Sequence, residues 1–324
     1  MMKIDGDVIT WLLDSDNPSV RYRTLTELFG KSNNDPEVID TISKINDSEP
    51  VTSLLQKMYP EGYWLQKNPR TGEIVGQDVE YGSFGTTHFC LSYCAELGLN
   101  RSHPLIDLAA KRYLSLQKPD GDWYRHFSCL AGYNLRTFLM LGYRDDPSIQ
   151  KSIDLILETE RFDGGYLCDL HEGKKKTKPV KSCIRGAVKV LLAFSLLPEY
   201  WEHKRCRSLI DYFLRRDGIF HSKDQERFVN DDMNRSSFPI TWRANTWEVL
   251  YALSKMGYGD DERLARAWTQ VETKVDTQGR YILDWTSTES PWKVGKRGEA
   301  NQWITLYILL AKKYRGIPIL LTNR

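Results

Sequence analysis

Long hydrophobic runs are missing from this chain of 324 residues: none approaches the roughly 20 apolar residues that a membrane-spanning helix needs. A basic-then-apolar leader is missing from the first residues as well. Cysteine is scarce, at six residues, and its spacing fits neither a disulfide framework nor a C-x-x-C metal motif. These absences point to a cytoplasmic chain with reduced thiols. A dominant charge is missing too: 45 Lys and Arg against 43 Asp and Glu leave a formal +2. The one basic cluster, Lys174, Lys175, Lys176, Lys178 and Lys181, reads as a solvated loop, so nucleic acid is not an expected partner. Alternating apolar and polar segments are few, which argues against an all-β fold. No Pro/Gly/Ser-rich linker divides the chain, so residues 1–324 read as a single domain.

What the chain does have is a repeat. Ser128-Cys129-Leu130-Ala131-Gly132 is nearly copied at Ser182-Cys183-Ile184-Arg185-Gly186, and the apolar pattern then runs in register, Phe138 and Met140 matching Leu192 and Phe194. A glycine followed two residues later by an aromatic recurs at Gly62, Gly121, Gly164, Gly218 and Gly279. Asp-Gly pairs such as Asp120-Gly121 and Asp163-Gly164 are turn signals. Before the later turns the spacing predicts amphipathic helices over Pro104–Gln117, Pro147–Thr159, Cys206–Arg215 and Asp261–Val275, with Leu105, Leu108, Ala109, Tyr113 and Leu116 as the apolar stripe of the first. A second set, apolar over more of the circumference, is predicted over Thr86–Leu97, Cys129–Leu141, Cys183–Leu197, Arg243–Met256 and Gln302–Tyr314. One-faced helices alternating with all-round apolar ones imply an all-α fold, an α/α toroid: a ring of about five to six antiparallel helix pairs whose inner helices line a cavity. Residues 1–60 read as an N-terminal helical cap and first outer helix, 61–314 as the repeats, and 315–324 as a tail.

The turns also carry a family resemblance. Gln117-Lys118-Pro119-Asp120-Gly121-Asp122-Trp123 resembles the Gln–Gly–Trp repeat of squalene-hopene cyclases. Asp163-Gly164-Gly165-Tyr166, followed by Lys178-Pro179-Val180-Lys181-Ser182-Cys183, resembles the repeat of protein prenyltransferase β subunits. Spread over most of residues 60 to 314, these likenesses imply the terpenoid-cyclase/prenyltransferase α/α-toroid superfamily, and more closely its single-domain prokaryotic squalene-cyclase-like members. They imply an isoprenoid-handling enzyme, terpene cyclase-like or prenyltransferase-like, with a small hydrophobic isoprenoid ligand. Neither catalytic set carries over whole. The Asp-x-Asp-Asp acid motif of the cyclases is reduced to Asp231-Asp232, with Val229 where its first aspartate belongs. Cys183 falls on the zinc-binding cysteine of the prenyltransferases, but Lys181 stands in place of their aspartate.

The candidate site residues form two groups. Cys129 and Cys183 begin two inner helices, Cys168 follows one turn and His221 the next, so Cys129, Cys168, Cys183 and His221 form a Cys₃His candidate for Zn²⁺. His126 and His171 are alternative fourth ligands, buried core cysteines are the plainer reading, and nothing indicates Mg²⁺. The second group would serve the cavity: Asp231 and Asp232 as catalytic acids, and Lys178, Lys181, Arg185, Trp242, Arg243, Trp247 and Trp303 as substrate-binding residues. Arg185 and Arg243 stand out because each puts a charge in the first turn of an apolar helix. Trp285 and Trp292 add to the aromatic crowding of the C-terminal third. The competing readings are a non-catalytic, zinc-stabilised lipid- or peptide-binding module and a helical scaffold.

Overall fold

Prolines and short acceptor side chains start the helices. After α1 (Gly6–Leu13), Asn17 accepts a hydrogen bond from the Ser19 N–H and Pro18 opens α2 (Pro18–Arg23), which continues as a π-helical turn over Thr24–Leu28. Asp35 caps α3 (Pro36–Ile45) in the same way, and α4 (Glu49–Leu55) follows. Strands β1 (Gln66–Lys67) and β2 (Ile74–Gly76) pair antiparallel. Then come α5 (Thr87–Glu96), α6 (Pro104–Ser115), α7 (Cys129–Met140), α8 (Pro147–Glu158), α9 (Ile184–Phe194) and α10 (Lys204–Arg215). A hairpin of β3 (Phe220–His221) and β4 (Asp224–Phe228) leads to α11 (Thr246–Lys255), α12 (Ala265–Glu272) and α13 (Gln302–Tyr314). These elements come from a computed structural model that describes residues 6–68, 70–76, 83–124, 129–168, 180–215, 218–221 and 223–317. Among the described residues no helix is long and apolar enough to cross a membrane.

The helices form an α/α toroid. Helices α5, α7, α9, α11 and α13 pack side by side in that order, and α13 packs on the π-helical turn after α2. The ring closes where Arg23 of α2 meets Glu96 of α5, Nη1 to Oε2 at 2.8 Å. Segment 18–28, expected as part of a cap, therefore supplies an inner element. Outside this ring lie α3, α4, α6, α8, α10 and α12. All ten residues of α5 are buried, and α9 is buried except at Arg185. On α6 the buried stripe is Ile106, Ala109, Ala110, Tyr113 and Leu114, while Leu105, Leu108 and Leu116 are exposed. The sequence holds two overlapping stripes there, and the Tyr113 ring, stacked 5.7 Å from Trp123, goes with the one that is buried.

The recurring turn has a physical role. Gly121 takes φ +89°, and a Cβ there would lie 2.5 Å from the Lys151 carbonyl oxygen, so conformation and close approach both require glycine. The aromatic past the glycine reaches back ten residues to a carbonyl near the end of the preceding outer helix. Trp64 Nε1 donates to Leu54 O (2.8 Å), Trp123 Nε1 to Tyr113 O (3.0 Å) and Tyr166 OH to Ile156 O (2.5 Å). Each bond covers a carbonyl in the stretch where a helix runs out of its own N–H partners.

Charge occupies the middle of the ring. Glu96 accepts from Arg23 Nη1, from Arg136 Nη1 (2.6 Å) and from the Tyr307 hydroxyl, and the three charged side chains are at most 5% exposed. Lys189 of α9 and Glu248 of α11 pair at 2.5 Å, also fully buried, with Asn245 donating to the other Glu248 oxygen (2.9 Å). Burial draws the Lys189 ammonium down and pushes the Glu248 carboxyl up, each offset in part by the partner's charge.

Candidate functional site

The inner helices all begin at one end of the ring, and there the structure gathers a bridge of charge on aromatic rings. Asp232 lies in the short 3₁₀ turn Asp231–Asn234, set by Asn230, whose side chain accepts from the Asp232 N–H at 2.9 Å. Arg185, in the first turn of α9, donates from Nη2 to Asp232 Oδ2 at 2.6 Å. Arg243, held before α11 by a backbone bond to Thr241 Oγ1, donates from Nη1 to Oδ1 at 2.5 Å. The Asp232 side chain is 6% exposed, and Arg235 adds a third guanidinium at 3.7 Å. Beneath lies Trp242, its ring centre 4.4 Å from the Arg185 guanidinium carbon and 5.0 Å from that of Arg243. Trp285 also lies against Arg243, at 4.2 Å, and Phe84 stacks on Trp242 and tilts against Trp285. Guanidinium planes on indole faces are stiff, weakly hydrated cations.

Beside the bridge opens a cavity of about 410 Å³, lined by Arg185, Arg227 and Arg235 with Phe228, Asn230, Asp231 and Asp232. Its lining carries three positive and two negative charges, and both Asp232 oxygens already accept from arginines. Asp232 thus anchors the bridge, each of its oxygens taking a hydrogen bond from a different arginine. Asp231 is exposed, lines the cavity and ion-pairs with no described residue.

Four of the expected site residues, Arg185, Trp242, Arg243 and Asp232, thus meet, with Asp231 adjoining. Trp247 and Trp303 do not join them. Both are 2% exposed and pack in the core, Trp247 on Tyr307 at 4.9 Å and Trp303 between Phe238 (5.1 Å) and Trp292 (5.2 Å). Lys181 is exposed and does not line the cavity, and Lys178 lies outside the described residues.

No three His, Cys, Asp or Glu side chains among the described residues converge as metal ligands. Cys129, Cys168, Cys183 and His221 are thus not assembled into a Cys₃His set. Cys129 begins α7, and Cys183 precedes α9 and donates its own backbone N–H to Tyr166 O at 2.7 Å. Cys168 is buried beyond the turn, and His221 Nδ1 accepts from the Lys223 N–H at 3.2 Å in the β3–β4 hairpin. His126 and His171 lie outside the described residues. Arg227, Arg235, Asn230 and Phe84 had no role in the sequence reading. Its one usable signal was Asn-Asp-Asp with an arginine three residues past Asp232, a capped turn with an i,i+3 ion pair.

No protein-family model matches this chain, and no curated protein does. Solved structures do match. A polysaccharide lyase superposes with a TM-score of 0.51 at 14% identity, covering 98% of both chains. A glycosyl hydrolase of family 88 from Bacteroides vulgatus gives 0.52 at 14%, covering 97% of this chain and 92% of that one. A type II terpene cyclase from Scytonema matches at 0.33 and 12%, covering 83% and 96%, a likeness too slight to argue from. The first two likenesses are of fold, and with the helix order above they define the class: this chain is an α/α toroid.

Proposed function

We propose that the protein is an enzyme acting on an anionic, ring-bearing substrate, with an acidic oligosaccharide the class that fits best. The observation that carries this reading is the Arg185–Asp232–Arg243 bridge on Trp242 and Trp285, beside an arginine-lined cavity of about 410 Å³. Arginines fixed by an internal carboxylate meet a substrate carboxylate with little loss of side-chain freedom, and Phe228 offers a face to a sugar ring. Asp231 is the acid–base group, because its carboxylate reaches the cavity unpaired. Two of the toroids that this chain resembles bear carbohydrate-directed names, a polysaccharide lyase and a glycosyl hydrolase. That likeness is of fold alone, so the site carries the weight.

The isoprenoid reading would set a diphosphate on the same arginines, and the Phe84, Trp242 and Trp285 cluster favours it as a second choice. Against it stand the buried charges of Glu96, Arg136, Lys189 and Glu248, which occupy the ring interior that a polyene would need. Calorimetric titration with oligogalacturonate, a neutral oligosaccharide and farnesyl diphosphate separates the readings. The expected result is binding and conversion of the acidic sugar only, binding weakened at least tenfold by Arg185→Gln, and conversion lost in Asp231→Asn with affinity kept. Binding of farnesyl diphosphate alone would reverse the choice of substrate, and binding of acidic sugar without product would make the protein a binding module.

A further inference from the structure

At the opposite end, where the inner helices finish, lies a second cavity of about 310 Å³. Its floor is Arg23 and Arg136, both committed to Glu96 and Tyr307. Glu27 also lines it, with both carboxylate oxygens held by Arg23 at 2.5 and 3.2 Å. Lys255, the last residue of α11, is different. It is partly buried, its Nζ stands 5.8 Å from the ring centres of both Tyr251 and Tyr314, and it ion-pairs with no described residue. Arg23, Arg136 and Lys255 against Glu27 and Glu96 leave one positive charge uncompensated, and Lys255 carries it. An ammonium drawn partly out of water with no carboxylate in contact is costly, and burial lowers its pKa although Glu27, itself bonded to Arg23, is near enough to oppose the shift.

We propose that this cavity binds a small organic carboxylate, its charge on Lys255 Nζ and its apolar body against Tyr251, Tyr314, Leu99 and Met140, the two rings themselves touching edge to face at 6.0 Å. The volume is at the small end of ligand pockets, which suits a single ring or a short chain rather than a polymer. The site is separate from the arginine mouth, since α11 alone, ten residues long, sets the ends about 15 Å apart.

Calorimetric titration of the full chain with benzoate tests the proposal, with acetate and inorganic phosphate for comparison. Saturable benzoate binding at one site per chain is expected, tighter than either comparator and weakened at least tenfold by Lys255→Met. The melting temperature of that variant is expected to equal or exceed the parent's, because an uncompensated charge has been removed. Tyr314→Ala is expected to weaken benzoate more than acetate, which checks the aromatic wall should Lys255→Met fail to fold. Arg185→Gln, at the mouth, leaves benzoate affinity unchanged. No saturable binding, phosphate binding as tight as benzoate, affinity untouched by Lys255→Met, or affinity lost in Arg185→Gln would each overturn the assignment.

Discussion

At the scale of single residues, Asp232 decides what the site can do. One nearly buried carboxylate takes a hydrogen bond from each of two arginines, one in the first turn of α9 and one three residues before α11. Asp232→Asn keeps the shape and removes the charge, leaving two cations 4.4 and 5.0 Å from the same indole without their counter-ion. Stability is expected to fall by about 2 kcal/mol, a share of the cost of an unmet partly buried charge, since both arginines keep some solvent contact. Urea unfolding checks this, and Asp231→Asn, at an exposed position, is expected to leave the urea midpoint unchanged. Arg185 and Arg243 were legible in the sequence, because a charge in the first turn of an apolar helix has to find a partner. The role of Asp232 was not, since an acid and an anchor look alike until the neighbours are known. Trp247 and Trp303 share the composition signal of Trp242 but pack on Tyr307, Phe238 and Trp292 instead.

At the scale of elements, two glycines in the near-copied segments have different duties. A Cβ on Gly132 of α7 would lie 2.5 Å from the Val190 nitrogen and 2.7 Å from the Lys189 carbonyl carbon, backbone atoms of α9 that cannot move aside. A Cβ on Gly186 of α9 would meet nothing nearer than Cys129 Sγ at 3.5 Å, an ordinary contact. Gly132→Ala is therefore expected to destabilise by about 1–3 kcal/mol through overpacking. Gly186→Ala is expected to stabilise by up to about 1 kcal/mol, through the better helix propensity of alanine. Paired denaturant titrations would show the contrast, and equal effects would mean that α7 and α9 do not pack this closely. The repeat made these helices and their adjacency readable, and five of the expected inner helices form within three residues of their expected bounds. It could not show which copy holds the close contact, because that depends on where the two axes cross.

At the scale of the whole molecule, the ring is closed by charge as well as by apolar packing. Burial would raise the Glu27 carboxyl, but the Arg23 charge and hydrogen bond hold it below its ordinary 4.5. The folded protein thus takes up this proton less readily than the unfolded chain does. The stabilisation is complete above the ordinary carboxylate value and is lost as pH falls below it. The difference in unfolding free energy between the parent and Glu27→Gln is expected to be constant from pH 7 to about pH 5 and to shrink under more acid conditions. A difference that grew on acidification would refute the pairing.

Periodicity, turn glycines and caps, all local properties, were enough to determine the helices, their alternation of one-faced and all-round apolar character, and the ring that buries them. The tertiary structure alone decided which charged and aromatic side chains meet. Arg185, Asp232 and Arg243 come from three parts of the chain, and Cys129, Cys168, Cys183 and His221 do not assemble although their helix starts and turns are equivalent. Helical periodicity is local and can be read along the chain, although on α6 it left two overlapping stripes and only packing chose the buried one. A site depends on distances of a few ångströms between distant segments, and those are set only when the ring closes.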